Sequence, residues 1–176
     1  MIAPLLATVL LAQSNTQGEL AQISLSKLEA KARFEHKNVL VVFHASWCGW
    51  CHKLDGLIEG QRFGKFFSNN YEILQVDVSE QPKDKALETP GGEDLSRQFG
   101  ASGDGLPFFV AVSPKGQVIM NSKNGQGTIG YPSEPGEITF FSSFLRATAP
   151  HATPPQIQAI QTYLSSSKTQ PTGSSR

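Results

Sequence analysis

Trp47-Cys48-Gly49-Trp50-Cys51-His52 holds the only two cysteines of the 176-residue chain and sets them three positions apart. Two thiols and no others make a redox pair the natural reading. Directly upstream, Val39-Leu40-Val41-Val42-Phe43 is an unbroken apolar, largely β-branched run, which suits a strand buried on both faces. Directly downstream, Leu54, Leu57 and Ile58 recur at helical spacing, so the cysteines belong where a strand turns into a helix. Unpaired N–H groups and the positive end of the helix macrodipole favour a thiolate there, which makes Cys48 the expected nucleophile. Cys51 lies one turn further in, on the same face and less accessible, and is the expected resolving thiol. In exchange chemistry the Cys48 thiolate attacks a partner's disulfide, and Cys51 then attacks the mixed disulfide to release the reduced partner.

Strand, Trp-Cys-x-x-Cys and helix are followed, more than fifty residues later, by Gly105-Leu106-Pro107-Phe108-Phe109 opening another apolar strand. This order resembles the thioredoxin-like family over roughly Ser26 to Leu145. The resemblance implies an α/β thioredoxin-like fold, a central mixed β-sheet flanked by helices, here with an extra C-terminal helix. It also implies that Pro107 is a cis-proline facing the cysteine pair, and that the backbone of Leu106 pairs with bound substrate. Trp50 between the cysteines resembles exported bacterial thioredoxin-like proteins more than thioredoxin itself. Leu106 and Pro107 thus belong to the expected substrate-binding surface, together with Trp47, Gly49 and Trp50. The tryptophans could both be core-packing aromatics, but are expected to shield the sulfurs and shape an apolar docking surface.

One departure stands out. The family usually carries a buried aspartate six residues before the first cysteine, where it helps deprotonate the resolving thiol, and here that position is Val42. His52 and His44 are the nearby candidates for proton transfer in its place. A protonated His52 beside Cys51 would favour thiolate.

The flanking chain reads as one domain, since 176 residues are few for two. Residues 1–14 predict a signal peptide: Ile2 to Ala12 is apolar but short for a bilayer, and Ala12-Gln13-Ser14 offers a small-x-small cleavage pattern. Residues 15–25 read as an N-terminal extension, 26–148 as the thioredoxin-like domain, 149–167 as a C-terminal helical extension and 168–176 as a disordered tail. Ser26-Lys27-Leu28-Glu29 spells a capping box, with Leu25 stapled to Ala30, and predicts a helix from Lys27 to His36. Gly60 and Gly64 divide the helix after the cysteines, and Tyr71 to Val78 predicts the next strand. Phe63, Phe66 and Phe67 read as core. Glu80 to Gly92 is charged and broken by Pro82, Pro90 and Gly91, an exposed loop before a short helix over Glu93 to Phe99. Ser113-Pro114-Lys115-Gly116 joins two apolar runs as an antiparallel hairpin. Asn121 to Thr128 is a long polar loop that leads to Gly130-Tyr131 beside the substrate surface. Pro135 starts a helix with Ile138, Phe141, Phe144 and Leu145 on one face. Thr153-Pro154-Pro155-Gln156 caps a final helix striped by Ile157, Ile160 and Leu164, which either packs on the core or offers a partner surface. From Ser165 onward no apolar residue follows, so the tail reads as disordered.

Other chemistries fit the same residues less well. Cys48-Gly49-Trp50-Cys51-His52 also spells the attachment motif for c-type haem, but the buried strand upstream, the hairpin downstream and the lack of a well-placed distal ligand among Met120, His36, His44 and His151 oppose it. Zinc would need Cys48, Cys51, His52 and His44 to converge from helix and strand. A purely structural disulfide would close a very small loop and gain little chain entropy. The reading is therefore a protein thiol-disulfide oxidoreductase whose redox-active group is the Cys48–Cys51 pair, with no other cofactor. Protein disulfides or dithiols are its substrates, and an unidentified redox partner resets it. A thioredoxin-fold scaffold with a slow disulfide is the alternative. Zero net charge gives no reason to expect nucleic acid as a partner. The signal pattern predicts export to a bacterial periplasm or cell envelope, with no stable membrane insertion after cleavage.

Overall fold

The computed structural model describes residues 20–101, 103 and 105–167. The predicted signal peptide, the first part of the predicted extension and the tail from residue 168 lie outside them. Along the chain run α1 (Leu20–Glu35), β1 (Asn38–His44), α2 (Gly49–Glu59), α3 (Gly64–Asn70), β2 (Tyr71–Asp77), α4 (Gly92–Gln98), β3 (Phe108–Val112), β4 (Val118–Asn121), α5 (Pro135–Thr148) and α6 (Pro154–Ser167). The four strands form one mixed sheet in the order β2-β1-β3-β4. β1 pairs in parallel with β2 and antiparallel with β3, and β3 pairs antiparallel with β4.

The apolar run of β1 sits where its composition requires, in the sheet interior with helices on both sides. Side chains alternate across a strand, so Leu40 and Val42 face one core with Phe109 and Ala111 of β3, together with apolar residues of α2, α3, α5 and α6. Val39, Val41 and Phe43 face the other, with Phe108, Val110 and Val112 of β3, Val76 of β2 and residues of α1 and α4. This two-sided burial holds the C-terminal end of β1 fixed where the cysteine loop begins.

Several boundaries differ from the sequence expectation. The first helix starts at Leu20 rather than Lys27, so Ser26 lies inside it and caps nothing. Ala21 and Leu25 are buried in the core, and the Ala21 N–H donates to the carbonyl of Pro90, 3.1 Å away. A tertiary partner thus starts the helix before the local capping pattern does, and residues 20–25 belong to the packed domain rather than to an extension. The charged stretch after β2 is not wholly irregular, since Pro82–Leu87 forms a 3-10 helix with proline in its first turn. The last helix includes the serines from Ser165, which composition alone assigns to the tail, and reaches Ser167, the last residue of the expected helical extension.

The helix after the cysteines is divided at its glycines, as the sequence suggests, and Phe63, Phe66 and Phe67 are buried. α5 begins with Pro135 in its first turn and buries Ile138, Phe141, Phe144 and Leu145. α6 packs rather than projects: Ile157, Ile160 and Leu164 join the same core as Leu54, Leu57 and Ile58 of α2. Its apolar stripe is therefore consumed inside the protein. Asn70 ties the entry to α6 down, donating to the Phe66 carbonyl at 2.8 Å and accepting the His151 N–H at 2.7 Å. Among the described residues no helix is long and apolar enough to cross a membrane.

Candidate active site

β1 delivers the chain into a tight turn in which the Cys48 N–H donates to the Ala45 carbonyl at 3.0 Å. Cys48 then serves as N-cap of α2, and its Sγ accepts the Cys51 N–H at 3.2 Å. Its carbonyl accepts the N–H groups of Cys51 and His52, at 3.0 and 3.2 Å. Sulfur takes the place usually held by a capping oxygen, in the field of the helix N-terminus. The two cysteines are joined as a disulfide with Cα atoms 5.2 Å apart. Cys48 keeps 5% of its surface exposed and Cys51 none.

Leu106 packs on Ala45, Cys48 and Cys51, and the Leu106–Pro107 peptide bond is cis. The polar loop after β4 is tied to this point. Thr128 Oγ1 donates to the Pro107 carbonyl at 3.4 Å, and Ser122 Oγ both accepts the Phe109 N–H and bonds to Thr128 Oγ1. The topology thus brings Leu106, far downstream in sequence, against the cysteine pair.

Trp47 and Trp50 are each about half exposed rather than core residues, and flank the disulfide. Trp47 is anchored by its indole N–H, which donates to the Ser79 carbonyl at 2.9 Å. Trp50 stacks on Tyr131, and the Lys53 ammonium lies 4.1 Å from the Trp50 ring centroid. Trp50, Lys53, Leu57, Tyr131, Tyr163 and Leu164 line a groove of about 580 Å³ that leads away from the cysteines, so α6 supplies part of its wall. Gly49, the first residue of α2, is exposed and has open space where a side chain would stand.

The two histidines named from sequence lie in different settings. His52 is exposed, and its Nε2 bonds to the Ser46 carbonyl at 2.9 Å, bracing the turn before Cys48. His44 ends β1 on the same face as Val42, with Nδ1 3.4 Å from Asp55 of α2 and Nε2 3.3 Å from Asp77 of β2. The Asp55 carboxylate bonded to the ring outweighs burial and, with Asp77 and Glu80 nearby, lifts the His44 imidazole above its ordinary value. Val42 itself is fully buried among apolar neighbours. His36 and His151, weighed above as haem ligands, contact each other at the far end of the sheet, where His151 Nε2 meets the His36 carbonyl at 2.9 Å.

Glu80 has no counterpart in the sequence reading except as part of a charged loop. It is 4% exposed, and its two carboxylate oxygens accept the Ser46 N–H at 2.5 Å and the Ser46 hydroxyl at 2.7 Å. These two bonds hold its carboxyl below the usual range. The partners are 34 residues apart, and no local spacing signals them. The other acidic residues of that loop and of the start of α4 are also engaged internally: Asp84 pairs with Lys83, Glu88 accepts from Lys85 and from the Glu80 N–H, Glu93 from Ser79, and Asp94 pairs with Arg97.

Comparison with known proteins agrees with this architecture. No curated protein matches the chain. Among solved structures, a disulphide isomerase from Xylella fastidiosa Temecula1 is 22% identical, aligned over 93% of this chain and 99% of that one, with a TM-score of 0.51. A DsbH oxidoreductase is 21% identical over 69% of this chain and 79% of its own, with a TM-score of 0.48. The C-terminal domain of Neisseria meningitidis DsbD in the oxidised form is 16% identical over 72% and 94%, with a TM-score of 0.47. The likeness to the Xylella protein is one of fold. A family model described as thioredoxin-like matches residues 21–114, from the buried start of α1 to the turn after β3, and on that extent, more than half of the chain, this protein belongs to the thioredoxin-like family.

Proposed function

We propose that this protein is an exported thiol-disulfide oxidoreductase acting on protein substrates, with Cys48 as nucleophile and Cys51 as resolving thiol. The observation that carries the reading is the pairing of Cys48 and Cys51 as a disulfide at the start of α2, with Cys48 Sγ held against a helix N–H. In the dithiol form the same N–H stabilises a thiolate on Cys48. That thiolate attacks one sulfur of a substrate disulfide, the S–S bond breaks, and the other substrate sulfur leaves as thiolate and takes a proton. Cys51, losing its proton, attacks Cys48 in the mixed disulfide, which frees the substrate's second thiol and leaves the chain oxidised. Two electrons pass from the dithiol to the substrate, and a partner dithiol returns them. Run in reverse, the pair oxidises a substrate dithiol. The cysteines carry the electrons, so the reading calls on no further cofactor.

Trp47, Gly49, Trp50, Leu106 and Pro107 are the proposed substrate-binding residues, a reading supported by the half-exposed tryptophans, the open space at Gly49 and the packing of Leu106 on the cysteines. The Xylella protein of the same fold is a disulphide isomerase, which supports the class of chemistry proposed here. The apolar run in residues 1–14 supports export. The test is reduction of a disulfide-bonded protein by the dithiol form. Cys48→Ser is expected to abolish turnover, and Cys51→Ser to accumulate a mixed disulfide through Cys48. Unchanged turnover in Cys48→Ser, or a pair that cannot be reduced without unfolding, would leave only a structural disulfide.

A further inference from the structure

Ser46, two residues before Cys48, has every polar group taken: Glu80 accepts its N–H and hydroxyl, and His52 holds its carbonyl. The next residue, Trp47, is fixed by the carbonyl of Ser79, the neighbour of Glu80. Ser79 and Glu80 thus grip Ser46 and Trp47, two consecutive residues against two. The grip is itself anchored. The Ser79 N–H and hydroxyl donate to Glu93 of α4, and the Glu80 N–H donates to Glu88, which Lys85 also holds. Ser79 adopts a left-handed φ of +56°, a conformation costly for a non-glycine residue and sustained by these bonds.

A carboxylate at this position does more than brace a turn. A chain advances at most about 3.5 Å per residue, so a carboxylate bonded to the Ser46 N–H stands within roughly 10 Å of the Cys48 backbone. Little of it is open to water, and buried charges are weakly screened. The start of α2 favours a Cys48 thiolate, whereas a nearby negative charge disfavours it.

We infer that Glu80 is a positioning residue for the redox pair: its carboxylate fixes the turn that sets Cys48 at the start of α2, and its charge opposes the Cys48 thiolate and so favours the disulfide. The inference rests on the exchange chemistry proposed above. Glu80→Gln keeps an amide able to bond Ser46 and removes the charge. Ser46→Ala keeps the charge and removes one donor from it. Shifts of opposite sign follow. In Glu80→Gln the Cys48 thiol pKa falls by about one unit, a tenfold gain in the thiolate-to-thiol ratio, and the equilibrium with glutathione moves toward the dithiol. In Ser46→Ala the less compensated carboxylate raises the Cys48 pKa and moves that equilibrium toward the disulfide.

The readouts are thiolate absorbance against pH and the dithiol-to-disulfide ratio in glutathione buffers, on full-length protein checked for folding by circular dichroism. A Glu80 that only braces the fold would lower the melting temperature of both variants and leave both redox readouts within twofold of wild type, which would overturn the inference. If Glu80→Gln does not fold, Ser46→Ala decides alone: an unmoved or lowered thiol pKa overturns it. None of these readouts requires a protein substrate. A wild-type pair that responds to Glu80 and equilibrates with glutathione but exchanges with no protein disulfide would sink the proposed function and leave this inference standing.

Discussion

The Trp50 and Tyr131 rings stack with centroids 6.0 Å apart and planes 21° from parallel, linking the second of the two residues between the cysteines to the loop that follows β4. Such pairs contribute about 0.5–1.5 kcal/mol beyond simple burial. Tyr131→Ala frees Trp50 and removes one wall of the groove beside the disulfide. The expected result is a rise of roughly two- to tenfold in KM for a protein substrate, with little change in the glutathione redox equilibrium. Steady-state kinetics on Tyr131→Ala and Trp50→Ala check it. A loss confined to kcat would place the stack in the chemistry rather than in docking.

His44 predicts a pH signature. Its folded-state pKa is raised by Asp55 first and by Asp77 and Glu80 after it. The folded protein therefore holds that proton more tightly than the unfolded chain. The resulting stabilisation is complete below about pH 6.5, the unfolded value, and is lost as pH rises through the folded value. The difference in unfolding free energy between wild type and His44→Gln should shrink as pH rises above 6.5. Denaturant titrations across that range measure it, and a constant difference would show that the ring acts by packing alone.

Val42 bears on the missing aspartate. It is fully buried in the core that holds Leu40, Leu54, Leu57 and Phe109, so a carboxylate there would stand among apolar side chains. Val42→Asp should lose about 3 kcal/mol or more at neutral pH and recover part of that in acid. The sign follows from burial raising the carboxyl pKa above about 3.9, which makes the folded state bind the proton more tightly. Unfolding at pH 4 and pH 7 checks this. If the variant is folded and its exchange kinetics are unchanged, the valine has no part in departing from the family's chemistry.

Ile160 is 1% exposed within the core shared by α6 and α2. Ile160→Ala is expected to cost about 2–4 kcal/mol, read by denaturant unfolding. It should also speed opening of the disulfide by an added reductant, because α6 and the redox helix share one core. A small loss would mean that α6 is an appendage.

The sequence reading succeeded where the signal is local. Val39 to Phe43 declares a central strand, Ser113 to Gly116 a hairpin turn, and Thr153 with Gln156 a helix start at which Gln156 Oε1 accepts the Thr153 N–H at 2.9 Å. It failed where a distant partner outweighs the local pattern. Ser26 and Glu29 spell a cap but lie within α1, because Ala21 and Leu25 gain burial and the Pro90 carbonyl takes an end N–H. The site divides the same way. The cysteines are legible from spacing and Pro107 from the family motif, whereas Ser46 with Glu80 and His44 with Asp77 meet only because β1 and β2 run side by side.

That Leu164 of α6 and Leu57 of α2 belong to one core carries a consequence for the order in which that core closes during synthesis. The cysteines are made early, but the core behind their helix is complete only once residues more than a hundred positions later have been made and have folded back. The finished packing behind the redox helix is thus a late property of the chain, acquired when its C-terminal helix docks.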